Sequence, residues 1–260
     1  MKVWSLTLIL FAFLLPIAAD GKTPERNPKR GVSSPKRLLP GDVATDPWSD
    51  AEIAAAKAEC TETLSGTRLD FEPLPPMQKG LCGTPAPILV KSLGSDAKVE
   101  IDPPATVTCE LAKALHDWIF DAVQSEAKAL FGAPVVKLQA TSYACRNRYH
   151  SPNPPVSEHA LANALDLTEF VLASGDHITV INNWPKRSLN AALSLRSTLP
   201  LTNVSTSPTG VSVKRESEFL RNVHEYACTT FGTVLGPAAN RAHKDHFHLD
   251  MKQRRANLCQ

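Results

Sequence analysis

The stretch His243-Lys-Asp-His246-Phe-His248-Leu-Asp250 places three of the chain's eight histidines within six residues, beside two aspartates. Upstream lies Ser157-Glu-His159-Ala-Leu-Ala-Asn-Ala-Leu-Asp166, which sets a histidine seven residues before a carboxylate. Neither segment can complete a zinc site alone. Together they can supply three protein ligands and leave one position open for water, the arrangement of a catalytic zinc rather than a structural one. The second segment reads as a strand. Alternation there sends His246 and His248 to one face, while Phe247 and Leu249 turn to the core and hold the pair rigid. Asp166 opens a second strand, Leu165–Leu172, and His159 sits on the turn or short helix before it. The expected ligand set is His159, Asp166 and His248 around Zn2+. With one carboxylate among three ligands the site stays net positive, so bound water is acidified and a carbonyl can be polarised.

The rest of the pattern describes an α+β domain: a small, largely antiparallel sheet packed with helices, the zinc site on the sheet, the whole stapled by disulfides. Helical spacing predicts helices over Asp50–Leu64, Cys109–Phe131 (N-capped by Thr108, ended by Gly132) and Arg215–Phe231. Alternation predicts strands over Val135–Tyr143, Leu165–Leu172, His177–Ile181 and Phe247–Met251, with Ala173-Ser-Gly-Asp176 as a hairpin turn. Ser194–Ser212, rich in Ser, Thr and Pro, reads as an exposed loop.

The beginning of the chain speaks to location. Residues 1–19 carry one early positive charge, an apolar run and small residues at their end, and read as a secretory signal peptide. Residues 20–47 are polar, proline-rich and basic, and cannot bury enough apolar surface to offset their ordering entropy, so a disordered linker is expected there. One domain follows over 48–260. Six cysteines, Cys60, Cys82, Cys109, Cys145, Cys228 and Cys259, form no CxxC pair and fit three disulfides in an oxidising compartment. Cys60 with Cys82 is the expected pairing because that loop is short and rich in Pro and Gly; the others stay open. The chain is 43% hydrophobic and 21% charged with net charge +2. It has no broad basic stripe for nucleic acid, and no segment after the signal is apolar enough for a membrane span.

Taken together, Tyr143-Ala-Cys145-Arg146-Asn-Arg148, the Ser157–Asp166 motif, Phe231-Gly-Thr-Val-Leu-Gly-Pro237 and the His243–Asp250 motif resemble the extensin-like C-terminal domain family of bacterial exported proteins. More broadly, the paired motifs resemble the zinc peptidase superfamily of D-Ala-D-Ala carboxypeptidases, lysostaphin-type endopeptidases and the hedgehog domain. The resemblance spans roughly residues 60–250. It implies zinc at His159, Asp166 and His248, with His246 assisting the catalytic water and Arg146 gripping substrate, although Arg148 competes for that role. His243 reads either as a stabiliser of the oxyanion or as a cap of its loop, and Asp245 and Asp250 as orienters of ligands. Ala162 departs from the superfamily, which often has Gly there. The implied activity is a secreted zinc metallopeptidase in the periplasm of a Gram-negative bacterium. It would hydrolyse amide bonds in the stem peptides or crosslinks of peptidoglycan, its partner. The alternative is a zinc-stabilised binding module, as in the hedgehog branch, that binds cell wall or protein without hydrolysis.

Overall fold

A computed structural model describes residues 39–95, 97–148, 155–185 and 214–260. The signal segment 1–19, most of the linker and the loop Ser194–Ser212 lie outside the described residues. Everything described falls in one compact unit, Arg37–Gln260.

The described residues run from a 3-10 turn (Pro40–Asp42) into helix α1 (Asp50–Thr63), then strands β1 (Leu69–Pro73), β2 (Met77–Lys79), β3 (Cys82–Thr84), β4 (Ile88–Leu93) and β5 (Val99–Val107). Helices α2 (Cys109–Trp118) and α3 (Gln124–Phe131) follow, joined by a π turn over Ile119–Val123. After β6 (Val135–Thr141) come β7 (Ala164–Leu172), β8 (His177–Thr179) and the short helix α4 (Val180–Asn183). Helix α5 (Arg215–Thr230), β9 (Thr233–Leu235), β10 (Phe247–Asp250) and β11 (Leu258–Cys259) complete the fold.

The expected strand around His246–His248 forms, as do the expected helices. Ser49 and Glu52 make a reciprocal capping box at the start of α1. Thr108 accepts the Leu111 N–H at the start of α2, and Gly132 adopts φ 71° to end α3. The single long helix expected over Cys109–Phe131 is one helical rod with a π turn in its middle.

The sheet corrects the expectation of a small, largely antiparallel one. Nine strands form a mixed sheet in the order β1-β4-β5-β6-β7-β10-β9-β11, with β8 hairpinned on β7. The β5–β6 and β9–β11 pairs are parallel. Parallel neighbours need a crossover, and the α2–α3 rod supplies it between β5 and β6. The sheet also exceeds its expected size. Strand β5 carries Pro103 and Pro104, which mask its alternation, while β9 and β11 are too short to show a period.

Helices α2 and α5 cover one face, where Trp118 stacks edge-on against Phe170 and Phe231 and donates its indole N–H to the Val223 carbonyl at 2.9 Å. Among the described residues no helix is long and apolar enough to cross a membrane.

All six cysteines are paired, as expected, but not as Cys60–Cys82. The bridges are Cys60–Cys109, Cys82–Cys145 and Cys228–Cys259. The short loop between Cys60 and Cys82 is occupied by β1, which pairs with β4, and by the β2–β3 hairpin. This sends Cys60 to the start of α2 and Cys82 to the segment after β6. The end of the stretch read as linker packs on that hairpin: the Leu81 N–H donates to the Pro40 carbonyl, and the Gln78 side-chain amide to the Asp46 carbonyl.

Candidate metal centre

The site sits on the face of the sheet opposite the helices. Across the antiparallel β7–β10 pair, His248 stands directly opposite Asp166. Their neighbours Leu165, Leu167, Phe247 and Leu249 are fully buried on the other face. A one-residue slip of either strand would bury the polar pair and expose the core set, so the register is held by burial. Phe247 meets Trp184 edge-on and the tilted ring of His224.

His159 arrives from a 3-10 turn, Glu158–Leu161, that ends at Ala162 in the left-handed region, φ 55°. Residues 144–148 run antiparallel to 155–159: the Ala144 N–H donates to the His159 carbonyl and the Ser157 N–H to the Arg146 carbonyl. Glu158 ties the turn down from its other side, paired with Lys252 and accepting the Asn163 amide.

Three ligand-type atoms converge. His159 Nε2 lies 3.1 Å from Asp166 Oδ1 and 3.2 Å from His248 Nδ1, and His248 Nδ1 lies 2.8 Å from Asp166 Oδ1. A tetrahedral ion with bonds of about 2.0–2.1 Å separates its ligand atoms by roughly 3.3 Å, so this triangle needs to open by only a few tenths of an ångström to hold one. The outer nitrogens are already engaged. His159 Nδ1–H donates to the Ser142 carbonyl at 2.7 Å, and His248 Nε2–H to Asp250 Oδ2 at 3.0 Å. Those bonds select the tautomers that turn His159 Nε2 and His248 Nδ1 toward the common point, the usual arrangement behind a metal-ligating histidine. Asp250 is itself held by the Lys252 N–H and by Thr233. The residues present fit a metal ion. Another grouping, His224 with Cys228 and Cys259, does not, because both sulfurs are in a disulfide.

The electrostatics of the cluster point the same way. Burial works against the charge of Asp166, yet hydrogen bonds and attraction from His159 and His248 hold its pKa far below the carboxylate range. Burial works against Asp250 as well, and the hydrogen bonds from His248, the Lys252 backbone and Thr233 again win. At His248 burial disfavours the imidazolium, but hydrogen bonds to Asp166 and Asp250 raise its pKa to about 9. A proton on Nδ1 there neutralises buried carboxylates; a divalent cation at the same point would displace it.

His246 stands at the rim of the triangle, its Nε2 3.5 Å from Asp166 Oδ1 and its Nδ1–H donated to Asp245 at 2.9 Å. Asp245 thus orients His246, and Asp250 orients His248. His243, its ring centre 5.3 Å from that of His246, donates Nδ1–H to Asn240 Oδ1 at 2.9 Å. The Ala242 N–H, donated to the same oxygen, fixes which way the Asn240 amide points. Burial, with the neighbouring charges of His246 and His248, pushes the His243 pKa down to about 4. Arg146 reaches within 3.9 Å of Asp166 Oδ2. His159, Asp166, His248, His246, His243 and Arg146 line one open cavity of about 360 Å³.

Sequence reasoning missed the Ser142 carbonyl, Asn240, and the Glu158–Lys252 tie. A backbone carbonyl leaves no mark in the side-chain pattern. Asn240 was findable, since Asn three residues before His243 is a helix-capping arrangement, and its side chain does accept the Ala242 N–H. Of the other histidines, His224 is buried in the core, His116 packs on Phe120, and His177 bonds Glu169 at the surface.

No curated protein and no solved structure matches the chain. One family model does, described as extensin-like protein C-terminus, over residues 58–199 and 202–260. That match takes in both site motifs, all six cysteines and every strand of the sheet, and on it the chain belongs to the extensin-like protein C-terminus family.

Proposed function

We infer that this protein is a zinc metallopeptidase that hydrolyses amide bonds in peptidoglycan stem peptides or crosslinks. One observation carries the reading. Two histidines and one carboxylate, with their outer hydrogen bonds already satisfied, converge in an open cavity with a further, oriented histidine at its rim. A purely structural zinc is held by four protein ligands, whereas three ligands facing a cavity suit chemistry.

His159, Asp166 and His248 would hold the ion, which supplies Lewis acidity to polarise a carbonyl and lower the pKa of a water. The protein's own groups do the rest. His246, its Nδ1–H fixed on Asp245, presents Nε2 to the cavity, where it takes a proton and returns it to the leaving amine. Arg146 offers a planar pair of donors to a substrate carboxylate, the fork geometry that lysine lacks. His243 keeps its Nδ1–H on Asn240, so its Nε2 faces the site as an acceptor. Its part is to receive a hydrogen bond from water or substrate rather than to donate one to an oxyanion. Periplasmic location is part of the proposal and accords with the three disulfides.

The test is to incubate purified protein with isolated sacculi, with and without chelator, and to read the released muropeptides by mass. New peptide products that vanish with chelator and return with zinc support the proposal. Zinc-loaded protein that binds sacculi yet releases no product would favour the binding module instead.

A further inference from the structure

The carboxylates lining the cavity are spoken for. Asp166 is shared by His159 and His248, Asp250 is bonded to His248, and Glu158 pairs with Lys252. The arginines are not balanced in the same way. Among the described residues Arg146 has only the distant Asp166 oxygen at 3.9 Å, and no carboxylate pairs with Arg254 or with Arg148, which lines the same cavity. Arg254 instead donates Nε–H to Thr233 Oγ1 at 2.9 Å, which leaves the outer edge of its guanidinium for another acceptor. On that side of the cavity the Gln260 main-chain oxygen is also engaged, by the Gly236 N–H and the His224 ring.

The sheet places Arg146 and Arg254 on opposite flanks of the metal triangle. The local strand order is β6-β7-β10-β9-β11. Asp166 and His248 occupy the central β7 and β10; Arg146 follows β6 and reaches Asp166 on β7; Arg254 is anchored on Thr233 of β9. Two strand spacings of about 4.8 Å separate β7 from β9, and Thr233 is level with Asp250, two residues along from the level of Asp166 and His248, so the anchoring side chains Asp166 and Thr233 stand roughly 12 Å apart with His248 between them. Both arms are fixed by covalent staples. Arg146 directly follows Cys145, tied to Cys82, and the loop carrying Arg254 ends in β11, whose Cys259 is tied to Cys228 on α5. Such anchoring lowers the ordering cost of a grip on a ligand.

We propose that the site takes a peptide bearing a carboxylate on each side of the scissile amide, one gripped by Arg146 and the other by Arg254. This rests on the peptidase reading above for the position of the scissile bond, but the grip itself is a binding property. At about 3.4 Å per extended residue, roughly 12 Å corresponds to carboxylates about three to four residues apart. Arg254 is therefore a specificity residue on the side of the metal away from Arg146, built by the segment between β10 and β11.

The probe is N-acetyl-glutamyl-alanyl-alanine, made in all-L and in alternating D,L series, together with versions in which the side-chain or the terminal carboxylate is replaced by an amide. An analogue N-methylated at its amide bonds serves for binding by calorimetry, and cleavage is followed on the parent peptide. Parent, R146Q and R254Q proteins are compared, with zinc content measured on each sample. Amidating either carboxylate should weaken binding to the parent about 10- to 100-fold, as befits a lost charge-assisted bond. R254Q should become indifferent to one amidation and R146Q to the other. Unchanged binding on amidation, or both variants losing the same dependence, would overturn the proposal. If the one-to-one pattern appears but no peptide is cleaved, the two-sided grip stands and the peptidase reading falls.

Discussion

His248 shows how one side chain can be fixed by everything around it. Asp250 holds its Nε2, Asp166 faces its Nδ1, and Phe247 and Leu249 lock the strand on either side. Removing Asp250 would free the tautomer and ring orientation, so Asp250→Ala should weaken zinc affinity by about 10- to 100-fold, measured by competition with a chelator. His246→Ala should leave zinc bound, because the variant removes none of the three converging atoms. It should cost about 10²–10⁴-fold in hydrolysis of a defined muropeptide, the usual range for lost acid–base assistance. Parent-like cleavage by that variant would make His246 structural.

The pH response of metal-free protein also belongs to His248. Its pKa rises from 6.5 to about 9 on folding, so its contribution to stability is fully present below pH 6.5 and is lost as pH climbs toward 9. Asp166 and Asp250 are depressed, so theirs is present above about pH 4 and lost on acidification. Chelated protein should thus lose roughly 3 kcal/mol from this histidine between pH 6.5 and 9, followed by denaturant unfolding. Zinc-loaded protein, whose His248 has already lost its proton, should not. At this scale the three converging side chains were legible in the sequence because their types and spacing are rare together. Ser142 was not, because it contributes only a carbonyl.

At the scale of elements, the turn Glu158–Leu161 and strand β10 bring His159 and His248 together, and each is held differently. Strand β10 was legible from its alternation of His with Phe and Leu. The turn was legible only as something short before β7, since its geometry depends on Ala162 at φ 55°. Ala162 is fully buried and its carbonyl accepts the Thr108 N–H at 2.8 Å, tying the turn to the start of α2. A left-handed residue with a β-branched side chain is strongly disfavoured. Ala162→Val should destabilise the fold by about 2–3 kcal/mol, seen as a lowered thermal midpoint, whereas Ala162→Gly should fold and retain zinc. Strand β5 escaped sequence reading because its two prolines suppress the alternation, and with it went the parallel β5–β6 pair that makes the sheet mixed.

Across the whole molecule, three disulfides brace the sheet's surroundings rather than its hydrogen-bonded middle. Two of them lie beside the arginines that flank the cavity. That cysteines would pair was legible from their even number; which would pair was not, because partners separated by 31 to 63 residues meet only once the sheet has formed. The central claim, that two distant motifs close into one catalytic metal centre, is tested most directly by zinc content per chain in the parent, His159→Ala and His248→Ala proteins after identical zinc exposure and dialysis. The account predicts about one zinc in the parent and close to none in either variant. Full occupancy in both variants would contradict it.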